Sequence, residues 1–363
     1  WSGSLLAFTK AKINIDNNSG VGALTLNGAG DKPLIAGTVA FEDFDTAPYL
    51  AVETIEAKPQ DSEDDGGWSR GWLARLTGAW SMPIAKLVDA DVRVSVRDVR
   101  HGDASIGKAA TAFSLRNGAL LANLAELTYE GGVGSGLVEI DFNGLVPRMT
   151  VRGKLTNAPL GELSKALIGT SFVDGDGSVT VDLVAHGGTI RQMLSGVSGT
   201  VDATMPSGGR AALDLQAFDT RLHRRGSNGE RGLEQIYARA RKGMTVLKRL
   251  DASLLFANGR ITARDVRASY DGRVAKLSGR ADLMTRFIDM RLLISEEPVV
   301  VAGSSNGSSG KSGRVDRNVT GSLTSVRGDW RAPNVDLSQH VGRPAELDQL
   351  LKLSVRAFER SRF

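Results

Sequence analysis

Three stretches of this chain repeat one pattern: a strand, a tight turn, a second strand, a Gly-rich turn and a third strand. Around Phe113 it reads AFSLRNGALLANLAELTYEGGVGSGLVEI, and around Leu254 ASLLFANGRITARDVRASYDGRVAKLSGRADL. A weaker copy, AFTKAKINIDNNSGVGALTLNGAGDKPLIAGTVAF, starts at Ala7. A repeated β-meander constrains the fold more than any single motif, because each copy must bury its apolar side against a neighbour. It points to an extended scaffold or binding surface. The 43 glycines and the 6% share of aromatics suit many short strands joined by tight turns.

Alternation continues along the chain. Residues 89–98, DADVRVSVRD, place Val92, Val94 and Val96 on one side and Arg93, Ser95 and Arg97 on the other. The same period predicts an inward side for Phe113 and Leu115; for Val138, Ile140 and Phe142; for Val179, Val181 and Leu183; and for Ile288, Met290 and Leu292. Val151, Val201, Met205, Leu254, Phe256 and Ile261 complete the predicted set, whose inward face rests on alternation alone, so a one-residue slip inverts it. Asn27-Gly28, Asn117-Gly118 and Asn258-Gly259 predict type I′ hairpins.

Four segments are expected: an N-terminal meander over 1–57, an acidic loop and Trp-rich helix over 58–80, a repeated β domain over 81–333, and an amphipathic tail over 334–363. Within 58–80, Trp68, Trp72, Leu76 and Trp80 are spaced by four, a helix packing on the body or lying at a membrane interface. Short helices are predicted at 159–168 and 188–196 and a longer one at 231–247, whose stripe includes Met244 and Leu247. Residues 303–313 read as a flexible linker.

Candidate chemistry is sparse. Cysteine is absent, which excludes disulfides and thiolate metal sites. The 45 basic and 41 acidic residues are interspersed and leave a net charge of +4, so nucleic acid is not indicated. No run approaches the ~18 apolar residues of a membrane-spanning helix. Gly310-Lys311-Ser312 lacks the first glycine and the helix of a phosphate loop. Gly303 to Gly307 match a nucleophile elbow without the helix it requires. Asp174, Asp176 and Ser178 lack the sixth-position glycine and twelfth-position glutamate of a calcium loop. His101, His186, His223 and His340 are scattered singly. No catalytic residue, cofactor or metal is predicted.

Several segments, in order, resemble the AsmA family: WSMPIAKLVDADVRVSVR (80–97), GTVAFEDFDTAPYL (37–50), VRGKLTNAPLGELSKALI (151–168), GDGSVTVDLVAHGGTIRQMLSGVSGTVDATM (175–205), the strands of 243–283, and Gly328-Asp329-Trp330-Arg331-Ala332-Pro333. The resemblance implies a periplasmic protein of the Gram-negative envelope, anchored to the inner membrane by a helix upstream of Trp1. It also implies likeness to bridge-like lipid transfer proteins, in which a long antiparallel sheet curls into a hydrophobic groove for phospholipid acyl chains. The expected function is then non-enzymatic phospholipid binding and transfer between the membranes, in support of outer-membrane biogenesis. The inward set above would be the groove floor, with Trp68, Trp72 and Trp80 as membrane-interface candidates. The expected partners are phospholipid acyl chains, a membrane surface and envelope proteins. Periodicity alone favours a different outcome, a sheet closed on itself as a sandwich or barrel. The alternative function is an envelope scaffold that pairs with partners by strand addition. A carbohydrate-active β protein would require a pair of carboxylates about 5–9.5 Å apart.

Overall fold

The computed structural model describes residues 4–46, 83–101, 104–168, 171–216, 243–296, 321–329 and 334–341. The Trp-rich segment with Trp68, Trp72 and Trp80, most of the predicted helix at 231–247, the 303–313 linker and the tail beyond 341 lie outside these residues. The chain divides into two compact units. One holds residues 1–159, 178–201 and 256–259, the other 160–177, 202–255 and 260–363.

The protein is mainly β. In chain order the first eight strands are β1 (Leu5–Ile15), β2 (Asn18–Asn27), β3 (Leu34–Asp45), β4 (Asp89–His101), β5 (Ala104–Arg116), β6 (Ala119–Tyr129), β7 (Gly132–Asp141) and β8 (Arg148–Pro159). Helix α1 (Leu160–Ile168) follows, then β9 (Val173–Asp174), β10 (Asp176–His186), α2 (Ile190–Gly196), β11 (Ser198–Met205) and β12 (Gly209–Ala211). The remaining strands are β13 (Thr245–Leu247), β14 (Arg249–Ala257), β15 (Arg260–Tyr270), β16 (Arg273–Asp282), β17 (Phe287–Glu296), β18 (Gly321–Asp329) and β19 (Asn334–Val341). Sixteen strands are hydrogen-bonded in the order β1 through β8, β10, β11 and β14 through β19, while β13, β12 and β9 form a separate three-stranded sheet. Among the described residues the order begins at β1 and ends at β19 with no closing pair, so the sheet is not a closed barrel.

Turn chemistry explains the repeat. Asn117-Gly118 and Asn258-Gly259 carry positive φ at both residues (49° and 78°; 50° and 73°), as a type I′ turn requires. Glu130-Gly131 and Asp271-Gly272 do the same one hairpin later (47° and 85°; 42° and 70°). Asn27-Gly28 departs from the expectation. Neither residue has positive φ, and β2 joins β3 through the longer loop from Gly28 to Pro33. The Asn27 side chain accepts a hydrogen bond from the Ala29 amide at 3.0 Å, and the Gly28 amide donates to the Ser4 carbonyl at 2.9 Å, which commits both residues to a loop.

The expected long, mainly antiparallel sheet is present, and it contains one parallel pair: β3 and β4 run parallel from Leu34↔Asp89 to Asp45↔Arg100. A parallel pair cannot be joined by a tight hairpin, and residues 46–88 separate the two strands along the chain. The predicted helix at 231–247 does not reach its stated end: Thr245–Leu247 is a strand and Met244 is 66% exposed. The Thr245 hydroxyl accepts from the Leu215 amide (2.8 Å) and donates to the Leu213 carbonyl (2.6 Å), so this buried side chain satisfies the loop beside it. The helices predicted at 159–168 and 188–196 are α1 and α2. The Thr189 side chain caps α2 by accepting from the Gln192 amide at 3.2 Å.

Candidate functional site

Residues that are Cα partners across a ladder share a face, so register carries each side chain's direction from strand to strand. In the first unit one row runs Leu24, Gly37, Val92, Phe113, Ala122, Val138, Val151 across β2 to β8. A second runs Leu26, Ile35, Ala90, Leu115, Leu120, Ile140, Met149. A third runs Gly22, Val39, Val94, Thr111, Leu124, Gly136, Gly153, and a fourth Gly20, Phe41, Val96, Ala109, Leu127, Gly134, Leu155. Thr111 carries the sole polar side chain of the four rows, and none of them holds a charge. From Ala90 to Val96 the face extends about 20 Å along the strands, and seven strands span about 29 Å.

The opposite side is polar: Arg93, Ser95 and Arg97 on β4, Asn123 on β6, Glu139 on β7, Arg152 and Lys154 on β8. Ion pairs cross it. Arg97 meets Glu42 at 2.8 Å with both side chains over 70% exposed, a geometry worth about 0–1 kcal/mol. Arg152 meets Asp182 at 3.5 Å, which sets Asp182 of β10 on the polar side and Val179, Val181 and Leu183 on the apolar side with Val151.

Most of this apolar face is half-buried, neither packed into a dry core nor free. Val39, Phe41 and Ile140 are the buried large side chains of the rows. The Phe41 ring lies over Gly20 and meets Phe44 edge to face, centroids 5.1 Å apart. One end of the face is covered. The 3-10 turn Pro83–Lys86 inserts Ala85, 1% exposed, against Ile140 and Phe142, with Leu115, Leu120, Val138 and Met149 around them. Phe142 lies just past the end of β7, where its amide donates to the Gly118 carbonyl at 2.9 Å.

In the second unit Ile261, Ala263 and Val266 of β15 face Ala281, Gly279 and Leu277 of β16, which face Ile288, Met290 and Leu292 of β17. Val326 of β18 joins Met290. Ile261, Ile288 and Met290 are half-buried and Leu292 is buried. Gly279 at φ 138° has no room for a Cβ beside the Asp289 carbonyl, as Gly37 at φ 155° has none beside Ala23. Met205 differs from the rest of the predicted set: it is fully buried, its side chain filling the space left by Gly175, Gly177 and Gly209. Val201, Leu254 and Phe256 are half-buried.

Alternation thus brings Val92, Val94, Val96, Phe113, Leu115, Val138, Ile140 and Val151 onto one face. It missed Ile35, Val39, Phe41, Leu120, Leu124, Leu127, Met149 and Leu155 beside them. The signal was present, since Leu120, Ala122 and Leu124 alternate as plainly as the valines of β4. Among the described residues no group of three or more His, Asp or Glu could hold a metal, and Asp174 pairs with Arg210 at 2.8 Å. No described helix is long and apolar enough to cross a membrane.

These features define a class: an open β-sheet protein whose first unit carries four uncharged, half-covered rows on one face. A model of the AsmA family matches residues 61–266, more than half of the chain, and the chain belongs to that family. No curated protein and no solved structure matches it. Membership is consistent with a role in envelope or lipid-related processes, and the family is not known for enzymes.

Proposed function

We propose that this protein binds phospholipid by taking acyl chains onto its apolar sheet face and passes them between the inner and outer membranes, in support of outer-membrane biogenesis, from a periplasmic position. The observation that carries the reading is the four-row face of β2 to β8, which is uncharged and left half-exposed. A patch of that extent on a protein surface marks an interaction site. Each methylene buried on it contributes about 0.8 kcal/mol. Its depth of about 20 Å along the strands exceeds the ~15 Å of half a bilayer core, so one acyl chain fits along the strands. Head groups need no special residue and stay in water at the rim. In the first unit the floor comprises Val92, Val94, Val96, Phe113, Val138 and Val151, with Val179, Val181 and Leu183 beside them; Ile261, Ile288 and Met290 form an apolar row of the second unit, taken by itself. No covalent step is required.

The experiment exploits two adjacent residues that point to opposite faces. Val94→Asp places a charge on the apolar face, and Ser95→Asp places one on the polar face. Binding of a fluorescent phospholipid to the delipidated protein is lost in the first and retained in the second. Equal binding by both variants rejects the face as the lipid site. Strand addition to an envelope protein is the second reading, favoured by the position of β1 at the end of the strand order; retained partner capture in Val94→Asp without any lipid binding by the parent chain would select it.

A further inference from the structure

One end of the first unit is built differently from the other. The loop from Gly28 to Pro33, the segment from Pro83 to Val88, the turn Asn117-Gly118, the loop from Phe142 to Pro147, α2 and the turn Asn258-Gly259 all close strands at the same end. Hydrogen bonds tie them into a rim: Asp89 amide to Pro33 carbonyl at 2.9 Å, Lys32 Nζ to Asn117 Oδ1 at 3.0 Å, Asn143 Nδ2 to the Asn117 carbonyl at 2.9 Å, Gly187 amide to Pro147 carbonyl at 3.1 Å, and Gly259 amide to Val197 carbonyl at 3.1 Å. From this frame four apolar side chains project into water: Leu145 (108% exposed), Leu87 (65%), Val146 (50%) and Leu194 (37%). Lys86, Arg148 and Arg191, all exposed, flank them. Of the nearby carboxylates, Asp89 is engaged by Arg116 at 3.6 Å and by the Asn117 amide, and Asp141 accepts from the Asn143 amide; Asp31 is exposed. The opposite end carries Glu130 at one turn, and Glu42, Asp43 and Asp45 line a depression of about 480 Å³ there with Arg100.

We propose that the Leu87, Leu145, Val146 and Leu194 rim is a docking surface for a bilayer with anionic head groups. Apolar loop tips ringed by cations match the two attractions such a surface offers, apolar burial at the acyl boundary and attraction of Lys and Arg to negative lipid. At the opposite end Glu42, Asp43 and Asp45 sit with Arg97 and Arg100, so that end lacks the cationic excess of the rim and the charge distribution favours approach by the rim. This surface is separate from the apolar sheet face and does not depend on its carrying lipid.

Flotation of the full chain with vesicles tests it. The parent chain floats with phosphatidylcholine vesicles containing about a quarter phosphatidylglycerol and floats less as salt is raised. Leu145→Ser combined with Val146→Ser, on an exposed loop, lowers the bound fraction about tenfold while circular dichroism and co-purifying lipid stay unchanged. Arg148→Glu with Lys86→Glu lowers flotation on the anionic vesicles. Val21→Ser with Val133→Ser, at the opposite end, leaves flotation as in the parent. Flotation of the Leu145, Val146 variant equal to the parent, or failure of the parent chain to float with anionic vesicles, overturns the proposal. A parent chain that floats with anionic vesicles yet carries no co-purifying lipid counts against the sheet-face reading and leaves the rim in place.

Discussion

Gly153→Leu separates an open apolar face from a closed core. Gly153 sits on the apolar side of β8, opposite Gly136 and between Val151 and Leu155. A Cβ there meets the Ser135 carbonyl at 3.4 Å and the Gly136 Cα at 3.8 Å, ordinary contact, so the backbone accepts a side chain. Glycine inside a strand costs about 0.5–1 kcal/mol relative to alanine, and replacing it recovers that amount. On an open face the four added side-chain carbons meet no opposing layer, so the variant is as stable as the parent or more so by about that amount. In a closed core the same change overpacks and costs about 1–3 kcal/mol. The leucine also occupies space an acyl chain would use. Displacing three or four methylenes weakens lipid binding by about 2.4–3.2 kcal/mol, roughly 50- to 200-fold. Urea denaturation and titration with a fluorescent phospholipid read the two effects. A stability loss above about 1 kcal/mol, with unchanged lipid affinity, would refute the reasoning.

Tyr270 and Thr245 in the second unit give two further outcomes. The Tyr270 hydroxyl is buried without a hydrogen-bond partner, so Tyr270→Phe leaves the urea midpoint at neutral pH unchanged or raises it. Burial first, then the carboxylates of Asp271 and Asp214, hold this hydroxyl well above the usual phenol range. The folded state therefore keeps a proton that the unfolded chain releases near pH 10, and this contribution is complete below about pH 10 and declines above it. Tyr270→Phe removes that part of the alkaline decline, measured as the difference between parent and variant midpoints across this range; identical slopes would contradict it. Thr245→Val keeps the shape but leaves the Leu215 amide and Leu213 carbonyl without the hydroxyl, at about 1–3 kcal/mol for each group left unpaired. A loss under about 0.5 kcal/mol in urea denaturation would show that both groups find other partners.

Local chemistry was legible where one rule decided it. Asn117-Gly118 and Asn258-Gly259 could be placed because few residue pairs accept positive φ twice, and Val92, Val94 and Val96 because nothing else explains strict alternation with arginine and serine. Asn27-Gly28 has the same letters but not the same turn, because the Asn27 side chain bonds its own loop. Direction was not legible at β3 and β4: alternation has no sense along the chain, so parallel and antiparallel pairing write the same pattern. Met244 and Leu247 fit a helical stripe by spacing, yet Thr245, Val246 and Leu247 pair with β12, a tertiary contact that local period does not encode. The distinction between Met205, enclosed by three glycines, and Val94, left half-covered, depends on what packs opposite each strand. Leu145 and Val146 carried no sequence signal at all, since an apolar pair before Pro147 reads equally as a strand end or an exposed tip.

Lipid carriage as proposed rests on the apolar face of β2 to β8 holding acyl chains. Purification of the full chain without detergent, followed by mass spectrometry of the lipid that accompanies it, tests this most directly. Phospholipid in stoichiometric amount, lost in Val94→Asp and kept in Ser95→Asp, is the predicted result. A stable, monodisperse protein free of lipid would contradict it and leave the sheet as a scaffold for partner strands.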